Sequence, residues 1–465
     1  MTGFTQPRRF KRPTKVTQAR WAAWLVIRRT FDDGAWTDRA FTSIVEQLSL
    51  EGRERAFAQR LAYGTVQQAK RLDYVIGVLG KRPLAKLDPP VLHALRLGLY
   101  ELLEQEGDRA RDDGSLVAGG SSAHAAVSQA VELVRGVVGE RAVAFTNAIL
   151  RRAQVDARNL LAKLDPGSDD DLAVLLSMPE WLVTRVRTGH GELGIAALAA
   201  QNDSHANGTA FRINAAHRDV SRLTTLLEDH GIDSVSGALS DGTPVPGSLL
   251  INGSTANASP LVESGLLVPQ SLASQLVSER LGITGANVRV LDMCAAPGGK
   301  TTHIASLLGP GGDVLAVELH EHRAASITKL AERTGTADRI TVRVGDATEL
   351  TPEEVGTFDF VLLDAPCTGT GVLAGRPDAR WKRSDADVAQ LVTLQERLLA
   401  TAQGLVRPGG VLVYSTCSIL VEEDEAVAAR VDVEQFTPDG AMRTWPQLHG
   451  TEGFFIARFV RLGEC

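Results

Sequence analysis

Two cysteines stand 50 positions apart in this chain, each in a frame suited to chemistry. Cys367 closes Asp364-Ala365-Pro366-Cys367, and Cys417 lies within Tyr414-Ser415-Thr416-Cys417-Ser418. Each frame follows an apolar run of β type (358–363 and 411–414), which places both thiols at the carboxyl ends of strands. In an open α/β sheet, ligands and chemistry collect at that edge. Upstream, residues 291–301 (LDMCAAPGGKT) read as a strand entering a glycine turn. A nucleotide-type cofactor loop and two thiols on one sheet edge point to a methyl transfer that needs covalent help.

The turn Cys294-Ala295-Ala296-Pro297-Gly298-Gly299-Lys300 lets the backbone reverse tightly and approach a ligand. Glu318 should end the next strand, about 20 residues on, where a carboxylate accepts from ribose hydroxyls. Asp346, in Gly345-Asp346-Ala347, should end the third strand and meet an adenine amino group. The G-x-G-x-x-G dinucleotide fingerprint is absent. Gly299-Lys300-Thr301 imitates the end of a P-loop, but that motif wants glycine where Cys294 stands, so ATP is disfavoured. A glycine turn followed by strands closing in Glu318 and Asp346 favours S-adenosylmethionine. Zinc has little support, because there is no C-x-x-C pair and no histidine at ligand spacing.

The elements that must carry these residues fall into regions. Residues 1–16 form a basic tail; from Met1 to Arg29 there are eight basic residues and no acidic one. Such a stretch can neutralise phosphates or simply remain solvated. Residues 17–155 repeat apolar positions at helical spacing, as in Leu72, Ile76 and Leu79 or Val91, Leu95, Leu99 and Leu102. Asp88-Pro89-Pro90 reads as a helix start. The segment 104–122, charged and then rich in glycine and serine, reads as a mobile loop. Residues 156–268 mix helix and strand, with strands expected at 211–214 and 249–252, and suggest a small α+β module. Residues 269–465 alternate strand and helix, with strands at 288–293, 313–317, 340–344, 358–363 and 410–414. That pattern predicts a doubly wound, mostly parallel sheet, closed by a strand or hairpin arm at 453–462.

At 465 residues and 44% apolar content the chain should hold about three domains. No apolar run approaches the roughly 18 residues of a membrane span, and nothing at the start reads as a signal peptide. The four cysteines make no close pair, which fits reduced thiols in the cytoplasm. A net charge of −7 argues against indiscriminate nucleic-acid binding by the whole surface.

Four motifs carry a resemblance: 293–301, Asp364-Ala365-Pro366-Cys367-Thr368-Gly369, Tyr414-Ser415-Thr416-Cys417-Ser418, and Gly453-Phe454-Phe455-Ile456-Ala457-Arg458. They resemble the RsmB/Sun family of RNA cytosine-C5 methyltransferases that modify small-subunit ribosomal RNA. The front end resembles NusB-like domains through 145–152 (FTNAILRR), 73–76 (DYVI) and 95–103. The resemblance implies an all-α NusB-like RNA-binding bundle, a small α+β module, and a class I (Rossmann-like) methyltransferase domain using S-adenosylmethionine. It implies 16S ribosomal RNA, unassembled or partly assembled, as partner and substrate, with no metal.

By the same resemblance Cys417 is the nucleophile that adds to carbon 6 of cytosine, and Cys367 assists product release. Asp364 hydrogen-bonds the cytosine, and Lys300 supplies positive charge to the pocket. Cytosine-C5 enzymes acting on DNA use the Pro-Cys thiol instead, which would nominate Cys367; the Ser-Thr-Cys frame favours the RNA arrangement. Transfer RNA as substrate, or a non-catalytic NusB-like binding factor, are the alternative readings. The chain departs from the family pattern in Glu318 for aspartate, in Gln270-Ser271 for Gln-Asp, in Val421-Glu422-Glu423-Asp424 without the usual proline, and in the 104–122 insertion.

Overall fold

The computed structural model describes residues 10–104, 123–202 and 208–463. The first nine residues of the basic tail, residues 105–122 of the expected loop, and Cys465 lie outside them. The chain divides into two compact units, residues 1–184 with 375–382, and residues 185–374 with 383–465.

The first unit is helical among its described residues. Its helices are Gln18–Phe31, Thr37–Leu48, Gly52–Gln67, Ala69–Gly80, Pro89–Glu104, Ala123–Val137 and Val143–Leu161, followed by the short Asp169–Leu175. The helical spacing of apolar residues becomes one core in which Trp24, Ile27, Leu61, Leu72, Ile76 and Leu95 are fully buried. Each such aliphatic side chain contributes about 1.5–3 kcal/mol by leaving water. Within that core the Arg20 guanidinium grips the Glu101 carboxylate through Nε (3.0 Å) and Nη2 (2.7 Å).

The passage 375–382 belongs to this unit. Arg380 is buried and donates to the carbonyls of Ser177 (3.1 Å) and Gln67 (3.4 Å). Burial pushes its guanidinium down to about 9. Trp381 donates Nε1 to the Val66 carbonyl at 2.7 Å, and Lys382 reaches the Gly34 carbonyl. Arg380-Trp381-Lys382, which as a sequence could equally have offered a cation and an aromatic to RNA, is therefore spent on packing.

The second unit holds two sheets. The smaller contains β1 (Thr209–Ile213), β2 (Ser234–Ala238), β3 (Pro244–Ile251) and β4 (Leu267–Pro269), antiparallel in the order β2-β3-β1-β4. The larger contains β5 (Arg289–Asp292), β6 (Asp313–Glu318), β7 (Ile340–Val344), β8 (Phe358–Asp364), β9 (Val406–Thr416), β10 (Phe436–Arg443) and β11 (Phe455–Arg461). Its order is β10-β11-β9-β8-β5-β6-β7. Strands β5 to β9 are parallel, while β11 is antiparallel to both β9 and β10. The parallel strands read as nearly continuous apolar runs because both faces are covered; in β8, five of seven residues are buried. The order turns back at β5, which lies between β6 and β8, so the crevice at their carboxyl ends is the place for a ligand.

Candidate active site

Every strand expected to deliver a site residue does so at one edge. Strand β5 ends at Asp292 and leads into the glycine turn, β6 ends at Glu318, β7 is followed by Asp346, β8 ends at Asp364, and β9 leads into Cys417. The β8–β9 register pairs Asp364 with Ser415, so the two thiols lie three and two residues beyond one matched pair.

Residues 293–300 leave β5, and the helix Gly299–Leu307 begins at once. Gly298 sits at φ +103°, and a Cβ there would press the Ile327 backbone at 3.0 Å. The glycine therefore satisfies two constraints, left-handed backbone and close packing. The amide of Gly298 donates to Ala295 at 2.8 Å, and the amide of Ala295 to Val317 at 3.0 Å, which holds the turn over the sheet. Thr302 donates its hydroxyl to the Gly298 carbonyl at 2.9 Å and receives the buried guanidinium of Arg212 at 3.0 Å.

Asp292 lies beneath this turn and is fully buried. Its Oδ2 accepts from the Thr301 hydroxyl at 2.7 Å, whereas Oδ1 is buried with no hydrogen-bond partner. Burial raises its carboxyl to about 6, with the Thr301 bond opposing the shift. An orphaned buried carboxylate oxygen signals a missing donor. Glu318, 4% exposed, takes the amide of His320 (3.0 Å) and the Arg323 guanidinium (3.4 Å). Arg323 also donates to the Ala296 carbonyl at 3.3 Å. Asp346 receives both the amide (2.9 Å) and the hydroxyl (2.8 Å) of Thr348 on Oδ1, which hold its carboxyl below the usual range. Cys294 is packed within the turn, and burial pushes its thiol up.

At the carboxyl ends of β8 and β9, Lys300 Nζ donates to Asp364 Oδ2 at 2.7 Å, and the Ser415 hydroxyl donates to Asp364 Oδ1 at 2.8 Å. The ammonium also lies 5.1 Å from the centre of the Phe454 ring. Burial works to lower the Lys300 pKa, but the Asp364 carboxylate prevails and its net direction is upward. The two thiols face each other with Sγ atoms 3.4 Å apart. The hydrogen bond with Cys417, then burial, push the Cys367 thiol well up. Lys300, Asp364, Cys367 and Cys417 thus form one cluster. Sequence reasoning did not single out Asp292, Ser415, Phe454 and Glu423, although each sits inside a motif it had quoted; Gln395 gave no local signal.

A doubly wound sheet with a glycine turn, strand-end carboxylates and paired thiols at its switch point defines a methyltransferase. Residues 284–460 match the family described as 16S rRNA methyltransferase RsmB/F, and residues 17–110 match the NusB family. The chain is 34% identical over 473 residues to a Mycobacterium tuberculosis protein named a methyltransferase, covering 96% of each. It is 29% identical over 430 residues to ribosomal RNA small subunit methyltransferase B of Proteus mirabilis, covering 90% of this chain and 93% of that one. The crystal structure of PH0851 superposes with a TM-score of 0.75 at 25% identity, over 95% of this chain and 99% of that one. The chain belongs to the RsmB/F methyltransferase family and carries a NusB-family domain at its front. Among the described residues no helix is long and apolar enough to cross a membrane.

Proposed function

We propose that this chain uses S-adenosylmethionine to form 5-methylcytosine in 16S ribosomal RNA in the cytoplasm, through a covalent bond between Cys417 and carbon 6 of the base. The observation that carries this reading is the pair of thiols 3.4 Å apart beside the Lys300–Asp364 ion pair, at the switch point of the sheet. The relatives named for the same RNA support the choice of substrate.

The residues present fit the cofactor. Gly298 and Gly299 carry the backbone of the turn without side chains, Gly298 packing against Ile327, and the orphaned Asp292 Oδ1 is an acceptor for an ammonium group. Residues 294–300 would hold its amino-acid end, Glu318 its ribose and Asp346 its adenine, with Asp364 beside the reacting carbon. When bound, S-adenosylmethionine supplies an electrophilic methyl group on sulfur.

Carbon 5 of cytosine is too weak a nucleophile to accept that methyl unaided. Addition of the Cys417 thiolate at carbon 6 breaks the 5,6 double bond and leaves carbon 5 electron-rich. Asp364 accepts from the amino group of the base and, once N3 is protonated as the thiolate adds, from N3–H, and Lys300 offsets the negative charge gathered there. Carbon 5 then carries both hydrogen and methyl. A base removes the proton, the C–H pair restores the double bond, and the C–S pair returns to the Cys417 sulfur. Cys367, held as a thiol 3.4 Å away, donates its S–H to that departing sulfur. The base must leave its stack for Cys417 to reach carbon 6, which favours a loop or an incompletely assembled subunit.

The test is methyl transfer to unmodified small-subunit RNA, with 5-methylcytosine mapped by mass spectrometry. Cys417→Ala should abolish turnover, and Cys367→Ala should accumulate a protein–RNA adduct that survives denaturing gels. Activity retained in Cys417→Ala would refute the assigned roles. Activity on transfer RNA alone would move the substrate, and silence on both RNAs would favour a binding factor.

A further inference from the structure

The loop that carries Cys367 is held from both sides by one buried carboxylate. Glu423 lies just beyond Cys417 and is 0% exposed. Its carboxylate accepts the amide of Thr368 at 2.8 Å and the Thr368 hydroxyl at 2.5 Å. It also accepts Nε2 of the buried Gln395 at 3.2 Å. The same Nε2 donates to the Pro366 carbonyl at 2.8 Å. The peptide groups immediately before and after Cys367 are therefore both referred to Glu423, one through Gln395 and one directly. Its neighbour Asp424, equally buried, takes the Thr416 hydroxyl and the Arg443 guanidinium, the latter at 2.7 Å, and so secures the residue before Cys417. The Tyr414 hydroxyl donates to the Glu423 carbonyl and ties the acidic pair to β9.

We propose that Glu423 is a positioning residue for the release step: it sets Cys367 against Cys417 without touching the base. The inference rests on the proposed chemistry above. Cys417 itself is placed by β9, by the Asp424 contacts and by the bond from the Gly371 amide to its carbonyl at 2.9 Å, none of which uses the Glu423 carboxylate. Loss of that carboxylate should thus leave adduct formation standing and impair adduct breakdown. The ionisable groups that bear on Cys367 are Cys417 and Glu423, and the negative charge of Glu423 favours the thiol that assists departure.

The experiment compares wild type, Cys367→Ala, Glu423→Gln and Thr368→Val as full chains. Each is mixed with S-adenosylmethionine and an unmethylated small-subunit RNA transcript. Adduct formation is followed by denaturing gel in a single turnover, and breakdown by release of methylated RNA. Glutamine keeps one oxygen for the Thr368 and Gln395 amides but turns an amino group on the Thr368 hydroxyl and removes the charge that holds all three donors, so breakdown should slow about 100-fold, the scale of a misplacement near 1 Å. Adduct formation should stay within about threefold of wild type. Thr368→Val removes one bond and keeps the carboxylate, and should slow breakdown about tenfold. This milder variant decides the matter if Glu423→Gln unfolds, as judged by its melting temperature.

An adduct that accumulates in Cys367→Ala but in neither other variant would overturn the role of Glu423 and leave the proposed function standing. Formation and breakdown falling in parallel would likewise overturn it, because a merely structural carboxylate affects both. Absence of any adduct in Cys367→Ala would overturn the proposed function and this inference with it.

Discussion

Gly371 is where a single methyl group should separate folding from catalysis. A Cβ added there would lie 1.9 Å from the Gly453 carbonyl oxygen and 2.9 Å from the Cys417 carbonyl oxygen. Carbon and oxygen rest at about 3.3 Å in close backbone contacts, so the Gly371 and Gly453 segments must part by about 1.4 Å. Both obstacles are backbone, and neither can rotate away. The movement strains two hydrogen bonds, Gly371 amide to Cys417 carbonyl and Gly453 amide to Gly371 carbonyl, each 2.9 Å. Overpacking of this kind costs about 1–3 kcal/mol, and each weakened bond adds about 1 kcal/mol. Gly371→Ala should therefore lose about 3–5 kcal/mol of stability and still fold at 25 °C. Its rate should fall on the order of 100-fold, because the displaced carbonyl belongs to Cys417 itself. Cofactor affinity should hold, since the turn at 294–300 does not include the moved segments. Initial rates at saturating S-adenosylmethionine, a thermal melt and a binding titration read the three quantities separately. A variant methylating RNA within threefold of wild type would show that this contact does not set a position of Cys417 that matters to the reaction.

Two further outcomes follow from buried charge. The Asp292 carboxyl is raised to about 6 by burial, so its contribution to stability is full below the ordinary carboxylate range and is lost as pH rises through about 6. Asp292→Asn should gain up to about 3 kcal/mol over wild type at pH 8 in denaturant melts. It should lose cofactor affinity at that pH, and wild-type affinity should fall as pH drops below 6; a pH-independent titration would remove Asp292 from the cofactor site. In the helical unit, Glu101→Ala strands the buried Arg20 guanidinium and should cost about 3–5 kcal/mol in chemical denaturation. Arg20→Met with Glu101→Leu should cost far less; equal losses for the two would refute the charge argument.

Much of the scaffold was legible in the chain. The five parallel strands fall where apolar runs of β type were read, because a strand covered on both faces must be apolar along its length. The helix start at Pro89 was equally plain. Strand β10 was not read: seven of its eight residues are exposed or half-exposed in a run, and Pro438 and Gly440 interrupt it. It is a strand because β11 offers it an edge. Strands β2 and β4 were missed for a similar reason, being short, with serine and glycine in β2.

That Lys300, Asp364, Cys367 and Cys417 would gather at one sheet edge was readable from type and context, since each stands at or just beyond the end of an apolar strand run. Their mutual geometry was not. The 3.4 Å between the thiols depends on the β8–β9 register and on Glu423, which gathers donors from Thr368 and Gln395, 55 and 28 positions away. The inward turn of Arg380 depends on carbonyls more than 200 positions distant. Local sequence determines which residues prefer a strand, a helix or a tight turn, because propensity and periodicity act over a few positions. Distances between loops, the burial of Asp292 and the satisfaction of Glu423 arise only when remote segments close on one another and water is excluded.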